Sequence, residues 1–548
     1  MNLKSIIDTH FTEQQLLFVV GMLILLAFSV FLFIRKKTSL SLFFLFLAGL
    51  GLRIFAATLD PYLNYWDEQV HALVAKNLMD HPFKPMLIAN PVLPYDYSDW
   101  TANHVWVHKQ PWFLWQMSLF LKLFGVNEFI LRLPMAITLA LLIPVIYRMG
   151  ILLVDKKTGW YGAFLYTTSF CFIHLATGWP MLEHNDAAFL FYVTLSIWAF
   201  IEFSNSGKHK WIIWIGIFSG IAILNKWLAG LLVFAGWLIS ILATSGGKTI
   251  LRDLKPFAVA LGVTLIVALP WQVYTLLMFP NESRYSLEYI STTHFFKALG
   301  GIQGNEWFHF SMIPDHYGSN FILLFIVPAV CILVKSIRDT GLKYAVPGFI
   351  VVTYLFFTLA ATKMPMYTTI VCSLIFLSLG GLLNFFTEKI QKRIKPRLNS
   401  VLLLMILCYI GYMNLNVIRL DMWHTCQRSE WKLNRQTTII IKMASQWIPS
   451  PDYVVFNSGG FNAIAFMFYN PNTAYGFYPD ETTYRDLKKR GIKLATFTDS
   501  RIPDYLRKDP VVIKIPLHFQ PSPFEKKHPA ATSGILKRNF LSSRAKGN

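Results

Sequence analysis

The sequence predicts a mainly α, polytopic membrane protein of about twelve transmembrane helices, with interfacial helices in the first outer loop and a small C-terminal extracytoplasmic α/β domain. Three observations predict it. Of 548 residues, 54% are hydrophobic and only 15% charged, beyond the apolar share of soluble domains. The apolar residues gather in runs of about 17 to 25, the length that crosses a bilayer. After about residue 419 the hydropathy falls, and short stretches of strand and helix character alternate.

The candidate spans lie near 15–34, 38–59, 129–153, 158–177, 187–204, 211–225, 227–244, 256–278, 319–335, 344–361, 367–386 and 400–418. The first run lacks a basic leader and is too long for a signal-peptide core, so it reads as a retained span. Lys and Arg fall in short clusters between the runs: Arg35 to Lys37, Lys156-Lys157, Lys208 to Lys210, Lys248 to Lys255, Lys335 to Arg338 and Lys389 to Arg397. A formal charge of +20 spread in this way is the positive-inside pattern and not a nucleic-acid face. With Arg35 to Lys37 cytoplasmic, strict alternation puts every other cluster on that side. It puts 60–128, 178–186, 279–318, 362–366 and everything after 419 on the other. The pair 211–225 and 227–244 forms a tight hairpin tipped by Asn225-Lys226. The expected division is a transmembrane domain over 1–418 and an extracytoplasmic α/β domain with a basic tail over 419–548, in the inner (plasma) membrane.

Of the five cysteines, Cys171, Cys331, Cys372 and Cys408 lie in apolar runs and only Cys426 lies outside, so no disulfide framework or Cys-based zinc site is expected. The first outer loop is different in kind. Adjacent carboxylates, Asp67 and Glu68, open an amphipathic helix carried by Val70, Leu73, Val74, Ala75 and Leu78 over 68–79. A second apolar segment, Trp112 to Phe124, is also too short to span, and both are expected in the interface. Trp66, Trp100, Trp106, Trp112 and Trp115 fit a belt at headgroup level. In the C-terminal region YVVFNS, FNAIAFMFY, TAYGFY, DETTYRDLKKRG, IKLATFT and VVIKI read as four short strands with intervening helical stretches.

Ionisable residues near a span mark a site, because a charge in lipid is costly. Asp67, Glu68, His108, Lys109, Glu183, His184, Asp186, Lys226, His294 and Lys363 all fall on the outer side by this topology. Each has a plainer reading. Asp67 and Asp186 suit helix caps, the lysines suit headgroups, and His108 and His294 lack a metal-ligand spacing. Yet Lys226 and Lys363 are the basic residues of their outer turns, against the positive-inside bias, which favours contacts to an anion such as phosphate. No glycine-rich phosphate loop is present, so neither ATP nor a soluble nucleotide sugar is expected.

These residues sit in WDE (66–68), HKQPW (108–112), LEHNDAAFLFYVTLSIWAF (182–200), LNKWLAGLL (224–232), STTHFFKAL (291–299) and ATKMPMY (361–367). In that order they resemble the lipid-linked-sugar glycosyltransferases of the C superfamily, in the branch of protein mannosyltransferases and aminoarabinose lipid A transferases, over roughly 45–390. The resemblance implies transfer of a sugar from a polyprenyl-phosphate carrier to a lipid, glycan or protein acceptor on the extracytoplasmic face, with inversion at the anomeric carbon. It implies Asp67 as the catalytic acidic residue and Asp186 as the second acidic position. Lys109, Lys363 and Lys226 follow as donor-phosphate contacts, with Glu68, Glu183 and Tyr367 completing the substrate-binding set. His294 stands where the aminoarabinose branch has a histidine beside a metal, and with His108 it marks a site for Zn²⁺, Mg²⁺ or Mn²⁺. His108 and Gln110 depart from that branch's pattern. The rival reading is a transporter or flippase of a lipid-linked or anionic substrate, which needs charges at mid-bilayer.

The alternation of basic and aromatic loops has a direct consequence. Reporter fusions at Asn399 and Asn548 will give opposite compartment signals, cytoplasmic for the first and extracytoplasmic for the second; identical signals would overturn the topology.

Overall fold

The structure, a computed structural model, describes residues 12–94, 97, 103–246, 249–289, 295–297, 304–319, 321–393, 395–415, 429–460 and 462–516. The chain divides into two compact units. The first holds Met1–Leu59, Arg132–Met278 and Leu287–Trp423, and the second holds Asp60–Leu131, Phe279–Ser286 and His424–Asn548.

The first unit makes the chain a multi-pass membrane protein. Among the described residues eight helices are long and apolar enough to cross a membrane, or nine if the bent pair Phe308–Tyr317 and Ile322–Ser336 is one span. The run at 158–177 is broken, because Ser169 takes extended backbone (φ −66°, ψ 121°) between the Lys156–Thr168 and Phe170–His174 helices. The run at 400–418 falls in the helix Pro396–Leu415, and its residues 416–418 lie outside the described residues. Finally, Lys210–Thr244 is one apolar stretch of 35 residues. The chain nevertheless turns back within it, at Trp227 (φ 53°). Gly230 then lies so close to Ile223 that a Cβ would stand 2.7 Å from the Ile223 nitrogen.

Local chemistry sets the helix ends and the contacts between helices. Thr12 and Gln15 form a capping box at the start of Glu13–Ile34, satisfying two backbone donors that the helix leaves open. That helix is tied to Thr38–Ala57 by two buried serines, Ser29 Oγ donating to Ser41 O (2.7 Å) and Ser41 Oγ to Ser29 O (2.8 Å). Two arginines are fully buried. Arg53 donates to Gly49 O (3.0 Å) and lies 4.8 Å from the Tyr166 ring, while Arg132 donates to Ala57 O (3.2 Å) at the end of Thr38–Ala57. The Lys156–Thr168 and Cys372–Gln391 helices touch at glycines: a Cβ on Gly380 would stand 2.6 Å from the Gly162 nitrogen, so only a bare backbone fits.

In the second unit β1 (Tyr453–Phe456), β2 (Lys493–Phe497) and β3 (Ile513–Ile515) form a parallel sheet in that order, with Tyr453 opposite Lys493 and Ala495 opposite Ile513. Helices Asn462–Tyr469 and Glu481–Lys489 lie in the connection from β1 to β2. Four strands are expected, and three form. TAYGFY makes a single parallel bridge, Val455 to Ala474, along β1. Its Gly476 lies against Gly460, where a Cβ would stand 2.5 Å from the carbonyl oxygen, and backbone hydrogen bonds run on past the bridge, from Ser458 N to Tyr475 O (3.2 Å) and from Asn457 N to Phe477 O (2.9 Å).

The two short helices of the first outer loop are Asp67–Asn77 and Trp112–Phe124. The second keeps Leu119, Leu123 and Phe124 exposed, as an interfacial helix should. The first does not lie open: every residue from Glu68 to Ala75 is buried.

One buried carboxylate in this unit is held by its neighbours. Asp509 accepts from Lys488 Nζ (2.6 Å), from Val511 N (2.9 Å) and from the Tyr484 hydroxyl. The hydrogen bond from Lys488 is the main cause that holds its carboxyl down at about 2. A folded-state value below the unfolded one stabilises above the unfolded range, so this contribution is full above about pH 4 and is lost as pH falls towards 2. Asp509→Asn is expected to cost about 1 kcal/mol near neutrality and to flatten the stability profile between those values. Unfolding of the detergent-solubilised chain, followed by tryptophan fluorescence against pH, checks it; an unaltered acid slope would refute it.

Candidate functional site

The sequence-predicted residues fall into two clusters, one in each unit. In the second unit, Trp66 takes a positive φ of 74° at the cap position and Asp67 begins the helix. Asp67 is therefore not the cap, and no side chain caps this helix. Its carboxylate instead stands 3.7 Å from Lys109 Nζ, and the two side chains keep 28% and 20% of their surface exposed, open enough for a substrate to reach. Glu68 turns inward, 2% exposed, and accepts from the Asn64 backbone N–H at 2.6 Å. That bond closes the turn ahead of the helix. Glu68 is the neighbour that shapes the turn, and Asp67 is the one left part-exposed.

Lys109 is delivered by a small antiparallel ribbon. Leu87 N donates to His104 O (3.0 Å) and Trp106 N to Pro85 O (2.8 Å), with Met86 bridged to Val105. Asn77, the last residue of the Asp67 helix, donates its side-chain amide to Met86 O (2.8 Å) and so joins the helix to the ribbon. One turn along from Asp67, His71 is buried against Phe113, with ring centroids 4.9 Å apart. The ligand-type atoms of Asp67 and His71 lie within 4.8 Å of each other.

The metal expectation changes accordingly. His294 lies outside the described residues. His108 is half-buried with its ring 5.8 Å from that of Trp106, and among the described residues it joins no cluster of three metal-type donors. The donor beside Asp67 is His71, which the sequence reading missed. The i, i+4 spacing of Asp67 and His71 on one helix was the signal that could have found it. A carboxylate and an imidazole so placed fit two positions of a divalent ion that keeps others open.

In the first unit the His184–Ser206 helix begins after Glu183, which occupies the cap position without a side-chain cap bond. Met181, two residues earlier, has φ 68°. Asp186, at 3% exposure, does not cap either: it takes the ammonium of Lys226 in a short ion pair. Lys226 Nζ also lies 4.5 Å from the Tyr367 ring centroid, a cation held between a carboxylate and an aromatic face. Thus Asp186, Lys226 and Tyr367, distant in sequence, form one group. His309, buried and absent from the sequence reading, stacks beside Tyr367 at 6.3 Å.

Lys363 is differently employed. Its ammonium donates to Thr358 O (2.5 Å), Ala360 O (2.7 Å) and Phe357 O (3.3 Å), the carbonyl end of Thr340–Leu359. All three of its donors are thereby used, and burial pushes its pKa below the ordinary lysine value. The sequence expectation of a phosphate contact meets a helix-end cap here, because hydropathy cannot see which carbonyls an ammonium reaches.

Residues 108–274 match the model of a family described as dolichyl-phosphate-mannose-protein mannosyltransferase. By fold the chain is similar to ArnT from Cupriavidus metallidurans bound to undecaprenyl phosphate, at 12% identity and a TM-score of 0.59, over 81% of this chain and 87% of that one. The oligosaccharyltransferase of Archaeoglobus fulgidus in the apo form is similar at 13% identity and a TM-score of 0.51, over 80% of this chain and 64% of that one. The arabinofuranosyltransferase AftD from Mycobacteria gives 10% and 0.50, over 80% and 31%. No curated protein matches the chain in sequence. At these identities the likeness is one of fold, and the fold is ArnT-like.

The Asp186–Lys226 pair predicts strong coupling. Removing either partner leaves the other charge buried or half-buried and uncompensated, so Asp186→Asn and Lys226→Met are each expected to lower the thermal midpoint of the purified chain. The double variant should recover part of the loss, with a coupling of about 1–3 kcal/mol. Additive losses would show that the two side chains do not pair.

Proposed function

We propose that this chain is an integral membrane glycosyltransferase that moves a sugar from a polyprenyl-phosphate carrier to a lipid, glycan or protein acceptor on the extracytoplasmic face of the plasma membrane. The observation that carries it is the Asp67–Lys109 pair, 3.7 Å apart and part-exposed. It stands in a chain whose fold is ArnT-like and whose residues 108–274 match a lipid-linked mannosyltransferase family model.

In the reaction the acceptor hydroxyl oxygen bonds to the anomeric carbon from the face opposite the phosphate. The carbon–oxygen bond to phosphate breaks and its electron pair leaves with the phosphate, so the configuration inverts. A polyprenyl phosphate departs readily once its charge is matched, and Lys109, beside Asp67, is the cation offered to it. The acceptor hydroxyl is the poor partner, and it reacts when a base takes its proton. Asp67 is that base. Asp186 sets the position of Lys226, while Tyr367 supplies the aromatic face on which the ammonium rests. Glu68 holds the turn that presents Asp67, and Glu183 stands at the start of the helix that carries Asp186. A divalent ion bound by Asp67 and His71 would supply a Lewis acid at the same place.

Transport is the weaker reading. The fully buried arginines that a pathway would need are committed to structure, Arg53 to Gly49 O and the Tyr166 ring and Arg132 to Ala57 O.

Asp67→Asn keeps the size of the side chain and removes the base. Transfer is expected to fall about a hundredfold or more, with normal insertion and abundance. The measurement is mass spectrometry of surface glycolipids and glycoproteins from a deletion strain carrying each variant, scored on the species that the deletion abolishes. Parent levels of that species with Asp67→Asn, Asp186→Asn and the double variant would sink the assignment.

A further inference from the structure

Lys76 lies in the last turn of the helix that Asp67 begins, and its ammonium is seated on another helix end. It donates to Met467 O (2.6 Å), Phe468 O (2.9 Å) and Asn470 O (3.0 Å), the carbonyl terminus of Asn462–Tyr469 in the C-terminal part of the chain. An ammonium has three protons, and each has an acceptor here. The acceptors are groups that a helix C-terminus leaves without partners, at the negative end of its dipole. Burial holds the Lys76 pKa down at about 8, as expected for a cation withdrawn from water and met only by neutral carbonyls.

The same region grips the first outer loop a second time. The Tyr475 hydroxyl accepts from Val92 N (3.1 Å) and Leu93 N (3.3 Å), Thr473 Oγ1 donates to Asn90 O (2.9 Å), and Arg490 donates to Val92 O (2.9 Å). The Asp67–Asn77 helix has 11 residues, a stiff rod with Asp67 roughly 14 Å along the axis from Lys76. Its first turn is pinned by Glu68 on Asn64 N, and its far end by Lys76 and by Asn77 on the ribbon that delivers Lys109. A tilt at the far end would therefore carry Asp67 away from Lys109.

We infer that Lys76 is a positioning residue for transfer, and that the C-terminal α/β region acts in the reaction by anchoring, through this ammonium, the helix that presents Asp67. Lys76 touches no substrate. The inference rests on the reading of Asp67 as the base, and it adds a role for a region of the chain that carries none of the proposed site residues.

The test is a double-mutant cycle in the complemented deletion strain, read on the cell's own lipid-linked sugar pool as the initial rate at which the abolished glycosylated species reappears. Lys76→Met keeps the stem and removes the ammonium, and it should slow transfer roughly ten- to hundredfold at normal abundance. In the Asp67→Asn background the same change should cost less than twofold, because a helix without its base has nothing left to position. If Lys76→Met reduces abundance, the cycle is run with Lys76→Gln, which keeps an amide donor for one carbonyl, and a smaller loss with the same non-additivity is expected. Three outcomes are distinct. A parent rate for Lys76→Met or Lys76→Gln beside a slow Asp67→Asn overturns this inference alone. Losses that multiply in the double variant also overturn it, since Lys76 would then act on the protein as a whole. A parent rate for Asp67→Asn overturns the underlying assignment of the base, and this inference falls with it.

Discussion

A helix that ends inside protein or lipid leaves carbonyl groups that water cannot reach, and much of this structure depends on how those groups are met. The chain meets them repeatedly with cations. Arg132 closes the end of Thr38–Ala57 at Ala57, Lys363 closes Thr340–Leu359, and Lys76 closes Asn462–Tyr469. A single ammonium satisfies up to three carbonyls and brings a charge that suits the helix dipole, so it holds an end without a glycine turn. The lysines sort by partner. Lys363 has every donor engaged in carbonyls, whereas Lys109 and Lys226 face carboxylates.

Backbone strain falls where the chemistry is proposed. Five described residues other than glycine have positive φ, and three of them stand beside candidate site residues: Trp66 before Asp67, Met181 just ahead of Glu183, and Trp227 after Lys226. A bulky side chain in that region of backbone space costs about 1–3 kcal/mol and persists only where the surroundings impose it. Here the surroundings can be named. The Glu68–Asn64 bond tightens the turn at Trp66, and the reversal that sets Gly230 against Ile223 requires the turn at Trp227. In both places a helix begins or ends with a charged residue at its tip.

The legibility of the site varied with the range of the interaction. Asp67 and Lys109 stood out in the sequence because both interrupt apolar surroundings. That they meet is a product of the ribbon 85–87 with 104–106, which no local pattern announces. His71 is legible in principle, one turn from Asp67, but the metal reading rests on His108 and His294 instead. Lys226 breaks the charge rule and Asp186 reads as a second acidic position or a helix cap, but no local pattern pairs them; the ion pair joins positions 40 residues apart.

The sequence by itself determined the membrane class, most of the spans, the order of the motifs and the α/β character of the C-terminal region. These depend on side-chain hydropathy and spacing, which act within one or two helical turns. Only the tertiary structure decided that the run at 158–177 breaks at Ser169, that TAYGFY gives one bridge and not a strand, and which carbonyls or carboxylates each buried cation reaches. The reason is physical. A buried ammonium must find oxygen partners, and the nearest ones are supplied by whatever the fold brings alongside. For Lys76 those partners lie 391 to 394 residues away, a distance over which composition and periodicity carry no information.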